Sequence, residues 1–253
     1  GRVRWTFETS EQITSTPAVK GGRLYLTTQD NRVVALNAAT GTLIWEYETT
    51  TPVDSSPAVA GDMVFFGVRN RRVIALDALT GEQRWEFVTE NNPTTGSPIV
   101  KDGVVYIGSG DGRLYALDAL TGVERWSHLT RDWITNTPAL SGNMLALASF
   151  DGWVTIYDTD TGKRRFSFRG FNRLIMGSPI IEGESIYVSY RNGLVTSVNL
   201  MEEEVLFQSR WYRLRLQLWL WGMGDHPGLP KGVNWVQGLG STIDMTSAAD
   251  ADR

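Results

Sequence analysis

The residues of this 253-residue chain that could carry acid–base or metal chemistry are few, and their spacing is poor for it. The two histidines, His128 and His226, fall on separate stretches, one just after Trp126 and one before Pro227. Neither has a second ligand type at the short spacing that a metal site requires. There is no cysteine, so disulfides, thiolate nucleophiles and zinc–thiolate sites are absent. Asp77, Asp118 and Asp158 recur at one place in a repeated stretch, which argues for a shared turn and against a unique acid or base. Asp30-Asn31, Asp111 and Asp151 read as hairpin-turn residues rather than calcium ligands, and Glu202-Glu203-Glu204 as a solvated turn. No glycine loop leads from a strand into a helix to cradle phosphate, and nothing points to a hydrolytic carboxylate pair. The expectation is a protein without catalytic, cofactor-binding or metal-binding residues, and not an enzyme.

Composition narrows the partners. Lysine and arginine total 24 against 28 aspartate and glutamate, a net charge of −4, so no global positive field gathers nucleic acid. At 42% hydrophobic residues a core can be built. The longest apolar runs, such as Leu218 to Trp221, are far shorter than the roughly 20 residues of a membrane-spanning helix. Gly1 opens without a signal-peptide pattern.

The elements that position these residues come from a repeat. Ala35 to Trp45 reads ALNAATGTLIW, Ala75 to Trp85 ALDALTGEQRW, Ala116 to Trp126 ALDALTGVERW and Ile156 to Phe166 IYDTDTGKRRF; a worn fifth copy, SVNLMEEEVLF, ends at Phe207. With Trp5 added, the closing aromatics step by 40 or 41 residues. A second marker keeps the same period: Pro17, Pro57, Pro98, Pro138 and Pro179 each follow a Ser/Thr-rich stretch. Apolar residues alternate with period two, as in Arg23-Leu24-Tyr25-Leu26, which predicts half-buried strands. Asp111-Gly112, Asp151-Gly152 and Asn192-Gly193 predict type I′ hairpins. The Asp-x-x-Thr-Gly stretch predicts the next turn, with Gly41, Gly81, Gly122 and Gly162 free to take a left-handed backbone. Each unit is therefore a four-stranded meander that needs neighbours to cover its faces.

The stretch A-x-D-x-x-T-G-x-x-x-W resembles the tryptophan-docking motif of the PQQ-like propeller repeat, shared by quinoprotein alcohol dehydrogenases and by the outer-membrane assembly lipoprotein of the BamB type. The resemblance covers residues 1 to about 207 and implies an all-β fold, a β-propeller of four-stranded antiparallel blades. It implies that Trp5, Trp45, Trp85, Trp126, Phe166 and Phe207 pack across blade seams. Five repeats are recognisable, and Arg2 to Phe7 aligns with the outermost strand of a further blade. Either a six-bladed ring or an incomplete one follows, since six units of about 40 residues nearly exhaust the chain. Quinoprotein dehydrogenases would imply a vicinal disulfide, a calcium site and an Asp base; the first is impossible here.

The chain divides into propeller repeats at 1–207 and an atypical tail at 208–253. Within the tail, Trp211 to Trp221 (WYRLRLQLWLW) sets Leu214, Leu216, Leu218 and Leu220 on one strand face, either to close the ring or to meet a partner or membrane surface. Blade-specific residues fall on the hairpin turns and inter-blade loops: Arg69, Arg71, Phe150, Trp153, Tyr190 and Arg191 on the former, Arg131, Trp133, Phe171 and Arg173 on the latter. Arginine with aromatics is the composition of interaction hot spots, so these form an expected partner-binding rim, locally basic. The expected function is a non-enzymatic scaffold for a protein or peptide. By its likeness to the BamB type it would be extracytoplasmic, in the periplasm or at the cell surface, within a membrane-associated complex as an assembly factor or sensor domain. The alternatives are a degenerate quinoprotein dehydrogenase and a small-ligand or glycan-binding propeller.

Overall fold

The computed structural model describes residues 1–91, 93–130, 132–170, 175, 177–191 and 193–200, together with the backbone of 233–238. Among these residues the fold has no helix and five four-stranded antiparallel sheets, an arrangement consistent with a β-propeller. The sheets fall into two compact units, residues 1–137 and 138–253.

The first unit holds three sheets, each a simple meander in chain order. They are β1 (Ala18–Lys20), β2 (Arg23–Thr27), β3 (Arg32–Asn37) and β4 (Leu43–Glu48); β5 (Ala58–Ala60), β6 (Met63–Val68), β7 (Arg72–Asp77) and β8 (Gln83–Val88); and β9 (Ile99–Lys101), β10 (Val104–Gly108), β11 (Arg113–Asp118) and β12 (Glu124–Leu129). Successive sheets meet along their first strands, β1 with β5 and β5 with β9. Each sheet packs a face on the next. Tyr25, Val33, Ala35 and Trp45 meet Val64, Phe66, Ile74 and Leu76, while Phe65, Val73, Ala75 and Trp85 meet Val105, Ile107, Tyr115 and Leu117. The period-two pattern predicts half-buried strands, yet β6, β7 and β10 are buried on both faces along nearly their whole length; for β6 and β7 the cause is that the second sheet packs between the first and the third. The fourth strands keep the alternating pattern.

The second unit repeats the design twice, with β13 (Ala139–Ser141), β14 (Met144–Ala148), β15 (Trp153–Asp158) and β16 (Arg164–Arg169), then β17 (Ile180–Glu182), β18 (Ser185–Ser189), β19 (Leu194–Asn199) and β20 (Val233–Gly238). Ala146, Ala148, Val154 and Ile156 pack against Ile186, Val188, Tyr190 and Val198.

Two local features depart from the sequence expectation. The hairpins are not type I′, which needs two successive residues with positive φ. Only the third loop residue has positive φ in the four loops described throughout: Gly112 at 80°, Gly152 at 87°, and without glycine Asn31 at 65° and Arg71 at 68°; Gly193 has φ 80°, and Asn192 before it lies outside the described residues. Ser109 and Arg113 close a three-residue loop (N→O 3.0 Å), and Gly112 N bonds Ser109 O at 3.1 Å inside it. The loop is held from outside as well. Thr49, Thr89 and Thr130 donate backbone N–H bonds of 2.7, 2.9 and 2.7 Å to the carbonyls of Asn31, Arg71 and Gly112.

The second departure lies in the fifth sheet. Every third-to-fourth strand pair has a bulge at one place, and the residue just before it faces an aromatic: Ala35 opposite Trp45, Ala75 opposite Trp85, Ala116 opposite Trp126, Ile156 opposite Phe166. In the fifth sheet Ser197 stands opposite Trp235. The sequence puts the fifth marker at Phe207, which lies outside the described residues; the strand that pairs with β19 comes from 233–238, beyond the boundary drawn at 207. Residues 200–232 therefore separate β19 from β20, where five residues suffice in each other sheet. Glu203 aligns with Gly41, Gly81, Gly122 and Gly162, whose φ lies between 69° and 77°. A Cβ at Gly41, Gly81 or Gly122 would stand 2.5–2.8 Å from the nearest carbon of the indole packed on it, so those three turns require glycine.

Candidate functional site

Each repeated carboxylate is consumed by its own turn. Asp77 Oδ1 accepts the backbone N–H groups of Leu79 (2.8 Å) and Thr80 (2.9 Å), and its other oxygen pairs with Arg84. Asp118 accepts from Leu120 and Thr121, both at 3.0 Å, and from Arg125 at 2.7 Å. Asp158 accepts from Thr161 N at 2.9 Å and pairs with Arg165. Asn37 makes the same amide contacts in the first sheet at 2.9 and 3.1 Å. The arginine hydrogen bond, then the turn's own donors, hold each of the three aspartates down at about 2. A carboxylate held this far below neutrality and engaged by its own turn is a poor general base.

The indoles occupy the seams of the first unit. Trp5 Nε1 donates to Ala38 O at 3.1 Å, Trp45 to Ala78 O at 3.1 Å and Trp85 to Ala119 O at 2.9 Å. Each ring lies over the glycine of the receiving turn, Gly41, Gly81 and Gly122 respectively. Trp5 and Phe7 also cover Leu24, Leu26, Val34 and Leu36, so a segment without strand pairing shields the outer face of the first sheet. Trp126 packs at a tilt against Tyr106 and His128, with centroids 5.7 and 5.1 Å apart. Phe166 is half-buried against the second unit's core.

At the hairpin end of the first unit the arginines are engaged. Asp54 pairs with Arg69 and accepts from Gln29, tying two hairpin turns to one inter-sheet loop. Burial opposes ionisation of Asp54, but the hydrogen bonds from Arg69 and Gln29 outweigh it and hold the carboxyl below its ordinary value. Arg71 donates to Glu90 O at 3.2 Å, Arg113 pairs with the Glu90 carboxylate at 3.2 Å, and Arg72 pairs with Glu86. The sequence offers Arg69 and Arg71 as a basic rim but does not show that Asp54 pairs with Arg69 and Glu90 with Arg113. Trp133 stands 56% exposed on the loop after β12. In the second unit Arg191 is exposed, Phe150 and Trp153 are half-buried, and Tyr190 is a correction: it is 1% exposed, its hydroxyl 3.1 Å from Thr196 Oγ1. Gly170 leaves room for that ring, since a Cβ there would lie 2.3 Å from it. Arg131, Phe171 and Arg173 lie outside the described residues.

A quinone cofactor of the dehydrogenase kind, with its calcium ion, would need clustered oxygen ligands. Among the described residues no group of three or more His, Asp or Glu side chains could hold a metal ion, and the chain has no cysteine. The residues described do not fit that group. Nor is any helix among them long and apolar enough to cross a membrane.

Meander sheets whose indoles lie on the glycine turns of their neighbours define the class, a β-propeller protein of PQQ-like repeats. The chain belongs to the family described as outer membrane protein assembly factor BamB, whose model matches residues 1–209. Among solved structures, it is similar to BamB from Moraxella catarrhalis, at 20% identity and TM-score 0.57 over 77% of this chain and 76% of that one. A computationally designed protein, Ika8, matches at 17% identity and TM-score 0.69 over 76% of this chain and 59% of the other. The quinohemoprotein alcohol dehydrogenase of Comamonas testosteroni matches at 20% and 0.64, over 75% of this chain and 41% of that enzyme. At these identities the likeness shows the fold. No curated protein sequence matches.

Proposed function

We propose that this chain is a non-enzymatic protein-binding scaffold of the BamB kind, acting in an extracytoplasmic complex that assembles outer-membrane proteins. The observation that carries the reading is the fate of the repeated carboxylates. The fold spends Asp77, Asp118 and Asp158 on turn amides and arginines, so the sheets supply rigidity and the variable loops supply recognition. Membership of the BamB family supports the same role. Recognition falls to loop side chains that the fold leaves accessible, with Trp133 foremost in the first unit and Arg191 in the second.

The test is cross-linking of the chain with envelope extract, followed by identification of the captured proteins. Outer-membrane assembly components should be recovered with the unaltered chain and lost with Trp133→Ala, at an unchanged thermal midpoint. Equal capture by the variant sinks Trp133 as an anchor, and capture of no assembly component by either protein sinks the assignment. Addition of PQQ and calcium should leave absorbance and thermal midpoint unmoved; a calcium-dependent rise in the midpoint would favour the dehydrogenase-like alternative.

A further inference from the structure

The turns between the third and fourth strands carry exposed leucines that the fold does not ask for. Leu79 and Leu120 occupy one position in the second and third sheets, the residue after the alanine whose carbonyl receives an indole. The turn uses only the backbone there: Leu79 N and Leu120 N bond the Oδ1 of Asp77 and Asp118 at 2.8 and 3.0 Å. The same amide in the first and fourth sheets belongs to Ala39 and Asp160, bonding at 2.9 and 3.2 Å, so the side chain is free to vary. Yet Leu79 is 53% exposed and Leu120 77%, with Val123 beside Leu120 at 64%. Exposed apolar groups repeated at one position of neighbouring turns offer a contact surface.

Charge selects the occupant. Arg84 and Arg125 at these turns are neutralised by Asp77 and Asp118. Glu82 and Glu124, one on each turn or just past it, make no ion pair among the described residues; exposed Asp62 lies on the adjoining turn, its carbonyl bonded to Ala78 N at 2.8 Å, but Lys20 Nζ stands on the neighbouring Gly61 O at 3.0 Å and offsets its charge. The surplus charge beside the leucines is thus that of two carboxylates, Glu82 and Glu124. Face-packed sheets stand about 10 Å apart, and residues seven apart on one side of an α-helix are separated by about the same distance. We infer that this turn face of the first unit receives a cationic amphipathic helix of a partner protein, with apolar residues seven or eight apart seated on Leu79 and Leu120 and lysines or arginines facing Glu82 and Glu124. Since the hairpin turns lie at the opposite end of the same sheets, this surface and the loops of the proposed function stand or fall separately.

The probe is a labelled amphipathic helical peptide of leucine and lysine, titrated by fluorescence anisotropy against the whole chain, with a leucine–glutamate helix of the same pattern as the contrast. The lysine helix should bind and the glutamate helix should not. The double variant Leu79→Ser, Leu120→Ser should weaken binding by about tenfold or more, the loss expected when two apolar contacts go. The variant Glu82→Gln, Glu124→Gln should weaken it and reduce its salt dependence. Both pairs are surface positions, and an unchanged thermal midpoint shows that the fold is kept. Equal binding of the two helices overturns the inference, as does binding that ignores the leucines. Leucine-dependent sedimentation with phosphatidylcholine vesicles, or leucine-dependent dimerisation in analytical ultracentrifugation, overturns it in favour of a lipid surface or a second copy.

Discussion

An indole at a sheet seam combines a large apolar surface with one donor that must be satisfied. Trp85 meets both demands, being 8% exposed with its Nε1 on Ala119 O at 2.9 Å. Truncation to alanine removes the ring and leaves the carbonyl with one partner fewer, so Trp85→Ala should cost about 3–5 kcal/mol in denaturant unfolding. A midpoint equal to the parent's would refute the seam role. Arg71 poses the opposite case, since it holds φ 68° at a loop position that three other sheets give to glycine. A bulky residue there is strained, so Arg71→Gly should raise stability by about 0.5–1 kcal/mol, as seen by chemical denaturation. A loss instead would mean that its hydrogen bond to Glu90 O outweighs the strain. The loop residues show how far sequence reaches at this scale. Arg69 and Arg71 were legible as loop arginines, but Asp54 and Glu90, which engage them, sit on other segments and become neighbours only when the sheets pack.

The four-stranded meander was legible from one repeat copy, because turn residues and period-two strands are local signals. The fourth strand of the fifth sheet was not. Strand pairing is a contact between segments of arbitrary separation, and Val233–Gly238 carries no Thr-Gly turn to announce it. Its register with β19 predicts that the amides of 233–238 that bond to β19 exchange with deuterium as slowly as those of β16. Free exchange there within seconds would reject the pairing. The hairpin expectation failed for a related reason: Asp-Gly fits both a two-residue turn and a three-residue loop, and the register of the flanking strands selects the latter. Strand burial was also underestimated, since the faces lost to solvent depend on a second sheet.

Acid response belongs to the whole molecule, since the same carboxylate is set in three of the five sheets. Asp77, Asp118 and Asp158 are held at about 2, below the ordinary aspartate value near 4. Depressed folded-state values mean that the unfolded chain binds protons first as pH falls. Their stabilisation is therefore complete above about pH 4 and is lost as pH falls toward about 2. The thermal midpoint should be level from pH 5 to 7 on account of these groups and fall between about pH 4 and 2, and Asp77→Asn with Asp118→Asn should flatten that fall. An unchanged acid slope in the double variant would show that the turns do not set it. By itself the sequence determined the repeat, its turns and the aromatic that each sheet offers to the next, because these follow from spacing and local backbone chemistry. Tertiary structure alone decided which charges cancel, that Tyr190 is buried, that Trp235 stands opposite Ser197, and that Leu79 and Leu120 remain in solvent. Those outcomes depend on which distant surfaces meet, and desolvation and ion pairing act only once they do.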